Sequence, residues 1–226
     1  MKITPNSPQE FFSRRISNDI PMNKTNLRFG TITLLLLIAC ISRFIPHPPN
    51  FAPMGAMALF GAAYYSKRWL AYLVPVIIFY FSDLFLNNVV YGEYFDGFVW
   101  LYQGAYWTYG SVLLIVLVGS LLLRKISASK VIIASLTASV LFFLVSNFGV
   151  WFSTTMYPKN LTGLAACYTA GIPFFKNTLL GDFVYCGVMF GVFEFAERRI
   201  PALRLNKAFK SRKDYSIKAG RRIDEK

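Results

Sequence analysis

Apolar residues occur in long stretches separated by short polar segments. An α-helix needs about 20 apolar residues to cross the hydrocarbon core of a bilayer. Four stretches are near this length, and the last of them has Asp182 inside it. Two further stretches near the N-terminus are shorter, and the second of these is the shortest. The pattern predicts six membrane-spanning helices, at residues 29–45, 52–65, 69–86, 104–123, 131–152 and 174–195.

Composition and charge placement agree with this pattern. The chain is 55% hydrophobic and 15% charged, with a positive mean hydropathy, which is typical of a membrane protein. If six helices alternate, only Arg43, Lys159 and Lys176 of the 24 Lys and Arg residues lie on one side of the membrane. Basic residues accumulate in cytoplasmic loops. The sequence therefore predicts an all-α integral membrane protein with six transmembrane helices and both termini in the cytoplasm.

The charge also divides the chain into three parts. Residues 1–27 form a polar cytoplasmic tail, residues 28–197 a six-helix membrane domain, and residues 198–226 a basic cytoplasmic tail. The net charge of +13 comes largely from these tails. In an integral membrane protein such a basic tail indicates contact with anionic lipid, and we expect no nucleic-acid partner.

Motifs for a cofactor or for known enzyme chemistry are lacking. The three cysteines have no CxxC spacing, and His47 is the one histidine of the chain. A zinc or haem site is therefore not expected. We found no nucleotide-binding loop and no hydrolase or metalloprotease motif. The sequence thus predicts a protein without a cofactor that is not an enzyme.

The rare polar residues of the membrane domain gather near its predicted outer surface. A charged residue in a membrane helix is costly and marks a functional site by default. Ligand sites are mostly apolar and aromatic, with a few convergent polar groups. The predicted substrate-binding residues have this composition: Asp83, Asn147, Trp151, Tyr157, Asp182, Arg43, His47 and Asn50.

Most of these residues have a structural alternative. Asp83 would also be explained by a helix cap or by an ion pair with Arg43. Asn147 would serve as an interhelical hydrogen bond, and His47 would be part of a rigid turn. Asp182 lies deeper in its helix and is harder to explain in this way. The common location of the residues favours a site more than any single residue does.

The stretch "PHPPNFAPMGAMALFGAAYY", from Pro46 to Tyr65, combines a rigid connection with an apolar helix. Its first prolines forbid a helix and hold the backbone extended. Pro53 suits the first turn of the next helix. Small residues such as Gly55 and Gly61 let that helix pack closely on its neighbours. We call residues 45–53 the elbow.

These residues carry a resemblance to a known family. The stretches "PHPPNFAPMGAMALFGAAYY", "FFLVSNFGVWF" and "GLAACYTAGIPFFKNTLLGDFVY" resemble an uncharacterised family of bacterial integral membrane proteins, over about residues 28–197. More loosely, the first three helices resemble the S components of energy-coupling-factor vitamin transporters. A short second helix rich in small residues leads there, too, into a third helix that ends in Asp. The first helix lacks the paired small residues with which many S components dock their transmembrane partner.

The resemblance implies a transporter component in the bacterial inner membrane. It would bind a vitamin-like small molecule from the outer face, and an ATPase or transmembrane partner would supply the energy. Two alternatives stay open. One is a proton-coupled secondary transporter with Asp182 as the relay, and the other is an intramembrane enzyme that uses Asp83 and Asp182 as an acid–base pair.

Overall fold

The computed structural model of the protein describes residues 24–204. The described part of the chain is all-helical and contains no β-strand. The two predicted tails, residues 1–27 and 198–226, lie largely outside these residues. Six α-helices follow one another within residues 24–204: α1 (Lys24–Ile41), α2 (Met54–Tyr64), α3 (Arg68–Phe85), α4 (Ala105–Leu122), α5 (Ala128–Ser153) and α6 (Leu161–Arg199).

All helices except α2 are long and apolar enough to cross a membrane. Helix α2 has 11 residues and is therefore about 16 Å long, at a rise of 1.5 Å per residue. It is shorter than the predicted segment 52–65. Almost all of its residues are buried, including all of its glycines and most of its alanines. It packs against α3, α4 and α5, so it is enclosed by protein over most of its surface.

Small residues allow these close contacts, as the sequence predicts. A Cβ atom added to Gly61 would lie 2.8 Å from Cγ of Pro75 on α3. A Cβ atom added to Gly119 on α4 would lie 3.0 Å from the Cβ atom of Ala62. Both separations are too short for ordinary side chains. Because lipid supplies no hydrophobic force between helices, close packing of this kind stabilises the bundle.

The structure divides into two compact units by its contacts. The larger unit, residues 31–195, contains most of the helices. In the described part of the smaller unit, the guanidinium of Arg28 donates hydrogen bonds to the carboxylate of Glu197 and to the carbonyl of Leu203. Arg28 is 7% exposed, so this cation is neutralised inside the smaller unit.

The prediction for the last helix was wrong at its start. The sequence indicated a loop over residues 153–172, but α6 already begins at Leu161 and continues through Pro173. Asn160 caps the new N-terminus, because its Oδ1 accepts a hydrogen bond of 2.8 Å from the backbone N–H of Gly163. The proline removes one backbone donor, but the helix continues past it.

The connection between α5 and α6 is therefore short, residues 154–160. Lys159 donates to backbone carbonyls at the end of α5, including that of Phe152 at 3.1 Å and those of Trp151 and Thr154. The last carbonyls of a helix have no intrahelical donor and carry partial negative charge. The ammonium group of Lys159 supplies both a donor and a positive charge to these carbonyls, and its hydrogen bonds hold the connection against the end of α5.

Helix α3 ends in one π-helical turn, Leu86–Val90. Within this turn the amide of Asn88 bonds both backbone groups of Val99, at 2.7 Å and 2.9 Å. The side chain thereby fixes the connection that leads to α4. Tyr102 lies half-buried in the same connection, and the loss of water around it raises the pKa of its phenol to about 12. At neutral pH the phenol is therefore uncharged.

The elbow contains no helix, as the prolines predict, but it turns at residues 49–50 instead of staying extended, and it lies against α6. Asn50 has a φ of 63°, the left-handed conformation, and the next residue, Phe51, donates a backbone hydrogen bond of 3.0 Å to the carbonyl of Pro48. The amide of Asn177 on α6 donates to the carbonyl of Pro49 at 2.9 Å. At Gly181 an added Cβ atom would lie 3.2 Å from the elbow backbone. This glycine lets the elbow pass close to the helix.

Candidate functional site

One end of the larger unit collects the elbow, the ends of α1, α3 and α5, and the beginnings of α4 and α6. We call it the elbow end. Direct contacts join these parts. The indole of Trp107 on α4, for example, donates a hydrogen bond of 2.8 Å to the hydroxyl of Ser153 at the end of α5. All eight predicted site residues lie at the elbow end or on the helix segments that lead to it.

Arg43 and Asp83 form an ion pair that fastens α1 to α3. The guanidinium donates to Oδ1 of Asp83 at 2.7 Å and also to the hydroxyl of Ser82. The phenol of Tyr109 on α4 donates to the other carboxylate oxygen at 2.8 Å. The guanidinium carbon lies 4.1 Å from the ring centre of Phe79. The side chains are 12% and 9% exposed, so both charges are satisfied inside the protein.

Asp182 caps the short helix α2 from a neighbouring helix. Its side chain accepts hydrogen bonds from the hydroxyl of Ser139 on α5, at 2.6 Å, and from the backbone N–H of Ala56. Ala56 lies in the first turn of α2, whose N-cap residue, Pro53, provides no side-chain hydrogen bond. The first N–H groups of a helix have no intrahelical partner and attract negative charge. Gly55 leaves the space that the carboxylate occupies.

The two carboxylates have separate partners. Asp83 bonds Arg43 and Tyr109, whereas Asp182 bonds Ser139 and the backbone of α2. Among the described residues, no Lys or Arg nitrogen lies within 4.0 Å of Asp182. Asp182 is 2% exposed, so its carboxyl group is removed from water as well as from Lys and Arg side chains.

A half-open cleft of about 360 Å³ lies between α5 and α6 at the elbow end. Four phenylalanines, two from each helix, line its walls. Polar groups come from α5, α6, the elbow and the connection that follows α5. The lining residues are Asn50, Phe142, Phe143, Ser146, Asn147, Val150, Tyr157, Cys167, Ala170, Gly171, Phe174, Phe175 and Thr178.

Some polar groups of the cleft are already committed to the protein. Nδ2 of Asn147 donates a hydrogen bond of 2.8 Å to the carbonyl of Phe143. The hydroxyl of Thr178 donates a hydrogen bond of 3.1 Å to the carbonyl of Phe174. Gly171 lets the side chain of Asn147 lie against α6, because an added Cβ atom would be 2.9 Å from its Cγ.

Other polar groups of the cleft are uncommitted. The amide of Asn50, the hydroxyls of Ser146 and Tyr157, and Oδ1 of Asn147 make no hydrogen bond to a described residue. These four groups keep unused donors and acceptors in residues that line the cleft, although Oδ1 of Asn147 lies against Gly171. The cleft therefore combines aromatic walls with available hydrogen-bonding groups, as small-molecule sites do.

The structure places three of the eight predicted site residues, Asn50, Asn147 and Tyr157, in the lining of this cleft. The other five are outside the lining. Trp151 donates from its indole to the carbonyl of Pro158 at 2.9 Å, and a ring nitrogen of His47 bonds the carbonyl of the next residue at 3.0 Å. The remaining three are those described above: Arg43, Asp83 and Asp182.

Sequence reasoning missed most of the lining of the cleft. A pair of phenylalanines occurs in each of the two helices, at 142–143 and 174–175, and each pair is followed within about one turn by polar residues. This repeated signal would have indicated Ser146 and Thr178. Tyr109 and Ser139, the partners of the two carboxylates, gave no comparable signal.

Metal-binding side chains do not cluster in the part of the chain that the structure describes. No group of three or more His, Cys, Asp or Glu residues there could hold a metal ion. Cys40, Cys167 and Cys186 are buried free thiols. The lining of the cleft therefore contains aromatic, amide and hydroxyl groups and the thiol of Cys167.

The fold and the cleft define an all-helical membrane protein with a neutral, partly aromatic site at one end of its bundle. The chain belongs to the family of unknown function DUF6580, which matches residues 23–203. No curated protein matches the chain, and no solved structure does.

Proposed function

We propose that this protein binds a small metabolite in the cleft between α5 and α6 and takes part in its uptake, as the substrate-binding component of a transporter. The cleft carries this proposal. Its volume of about 360 Å³ falls within the range of small-molecule sites, which is about 300–1,000 Å³. The uncommitted groups of Asn50, Ser146, Asn147 and Tyr157 converge on it.

The orientation of the chain supports uptake from outside. The ends of helices away from the elbow end carry basic residues, for example Lys67, Arg124 and Lys130, as expected of a cytoplasmic side. We therefore propose that the bundle crosses the membrane six times, with α2 and the elbow together forming the second crossing. Both termini are then cytoplasmic, and the cleft faces outward, in a bacterial inner membrane.

The resemblance to S components supports the transporter assignment. Helix α2 is short, rich in small residues and buried, and α3 carries Asp83 near its end, as the resemblance implies. Since the sequence contains no nucleotide-binding loop, an ATPase or transmembrane partner would supply the energy. The proposed contact of the basic tail with anionic lipid concerns residues 198–226, most of which lie outside the described residues.

A second function, proton-coupled transport with Asp182 as the relay, is favoured by one observation. Asp182 is deeply buried and has no cationic partner among the described residues. An acid–base pair of Asp83 and Asp182 has less support, because such a pair needs the carboxylates to share a site and their partners are separate.

Co-purification tests the proposed function. The protein is purified in mild detergent, and small molecules released on denaturation are identified by mass spectrometry. We expect at least one metabolite to be enriched with the wild type and lost with Ser146→Trp, whose indole fills the cleft. Leu136→Trp is the matched control, because Leu136 lies on the same helix and is 45% exposed. Equal recovery of small molecules from wild type and Ser146→Trp would exclude the cleft as a binding site.

A further inference from the structure

The buried charged groups of the elbow end have structural partners, and the exposed Lys176, Glu93 and Asp96 lie outside the lining of the cleft. The charge of Arg43 is taken up by Asp83, that of Asp182 is directed at α2, and that of Lys159 at the end of α5. None of the 13 lining residues is Asp, Glu, Lys, Arg or His. A charged ligand in this cleft would therefore meet no opposite charge in its lining.

An uncompensated charge is costly in such a place. Moving an ionised group from water into apolar surroundings costs far more than moving a neutral polar group, unless the charge is paired. Amide and hydroxyl groups compensate a neutral polar edge well, since each hydrogen bond replaces one to water. The lining thus favours neutral over charged compounds of the same shape.

The available polar groups of the cleft include both hydrogen-bond donors and acceptors. Oδ1 of Asn147 is an acceptor, the amide of Asn50 offers both a donor and an acceptor, and the hydroxyls of Ser146 and Tyr157 can do either. The phenylalanine pairs Phe142–Phe143 and Phe174–Phe175 face the cleft from two helices. Flat rings pack well between aromatic side chains.

Size limits the ligand further. A volume of about 360 Å³ equals the share of roughly twelve liquid water molecules, at about 30 Å³ each. This volume is sufficient for one or two rings with small substituents. From these observations we infer that the cleft takes an uncharged compound of one or two rings whose edge carries both hydrogen-bond donors and acceptors. The inference rests on the proposed function and adds the class of ligand.

Matched neutral and ionised probes test this inference. Benzamide and benzoate differ mainly in charge, and so do orotamide and orotate at neutral pH. Binding of each probe, at up to millimolar concentration, is measured by ligand-observed NMR on the full chain in detergent. We expect the two neutral probes to bind to the wild type and the two anions to bind at least about tenfold more weakly. We expect Ser146→Trp to abolish binding. Leu136→Trp, on the lipid-facing side of the same helix, is expected to bind like the wild type.

Each other result overturns the inference in a recognisable way. If benzoate and orotate bind as tightly as the neutral probes, and Ser146→Trp abolishes this binding, the cleft is a ligand site but does not exclude charge. The proposed function then stands. If none of the four probes binds, the inference about ligand class is wrong, and the co-purification experiment separately decides whether the cleft binds a metabolite at all. A thermal unfolding midpoint of Ser146→Trp equal to that of wild type shows that loss of binding is not loss of folding.

Discussion

The contact between Gly55 and Asp182 allows a sharp test of the structure. In Gly55→Ala the new Cβ atom would lie 2.8 Å from Cγ of Asp182, whereas ordinary van der Waals contact begins at about 3.4 Å. The carboxylate would have to move by more than roughly 0.6 Å, the difference between these distances, because its Oδ1 lies even closer to the new Cβ atom than Cγ does. Its hydrogen bonds to Ser139 and to the backbone of Ala56 oppose this movement.

The expected loss of stability follows from three contributions. Overpacking in a well-packed interior costs typically about 1–3 kcal/mol. Weakening a hydrogen bond to a charged group costs up to about 1.5–3 kcal/mol. Replacing glycine by alanine within a helix returns about 0.5–1 kcal/mol. We expect Gly55→Ala to lower the free energy of unfolding by a net amount of about 1–4 kcal/mol.

Gly187→Ala is the matched control, because Gly187 is also helical and an added Cβ atom there meets no atom within 4 Å. This variant should be neutral or slightly more stable. Reversible unfolding in mixed detergent micelles, followed by circular dichroism, measures both. The reasoning fails if Gly55→Ala is as stable as Gly187→Ala. It also fails if Gly55→Ala costs as much in an Asp182→Ala background, since removing the carboxylate removes the clash.

The other predictions concern an ion pair, a helix cap and the topology. Arg43→Met should lower the free energy of unfolding by about 3–5 kcal/mol, because it leaves the buried carboxylate of Asp83 without its cation. The loss should be smaller when Asp83→Leu is added, and equal losses in the single and double variants would contradict this. Asn160→Ala should cost about 0.5–2 kcal/mol and increase hydrogen exchange only in the first turn of α6; unchanged exchange there would exclude the cap. Cysteines replacing Lys67 and Glu93 should react with a membrane-impermeant maleimide from opposite sides, and labelling from one side would refute the six-crossing topology.

Helices and the elbow were predictable from the sequence because their causes are local. Runs of apolar residues define the long helices, and the prolines of the elbow exclude a helix whatever surrounds them. The start of α6 was missed because its local sequence pattern points away from a membrane helix. Its first turns contain too few strongly apolar residues to count as a membrane span, and a proline such as Pro173 disfavours a continuous helix, although the cap by Asn160 shows that the helix begins earlier.

The site was less predictable, since it depends on which helices are neighbours. The sequence indicated that Asn50, Asn147 and Tyr157 lie at one end of the bundle, and the structure places all three in the lining of one cleft. The sequence offered the ion pair of Arg43 and Asp83 as an alternative, which the structure contains, but it could not show the other contacts of Asp83 and Asp182. Two of their partners, Tyr109 on α4 and Ser139 on α5, are remote along the chain. The sequence does not reveal which acceptor a given hydroxyl group bonds.

The short helix α2 gives a physical reason why a carboxylate remains in the middle of this bundle. A helix that begins inside a membrane protein has N–H groups that water does not reach, and each unsatisfied group costs several kcal/mol in hydrocarbon. A long helix avoids this cost by ending in the interfacial region, but α2 has 11 residues and is buried on nearly all sides. Asp182 provides an acceptor and a negative charge at the positive end of the helix dipole. An intramembrane carboxylate is therefore weaker grounds for a ligand site when it faces the beginning of a buried helix. In this protein the uncommitted amide and hydroxyl groups of the cleft indicate the site better than the charges do.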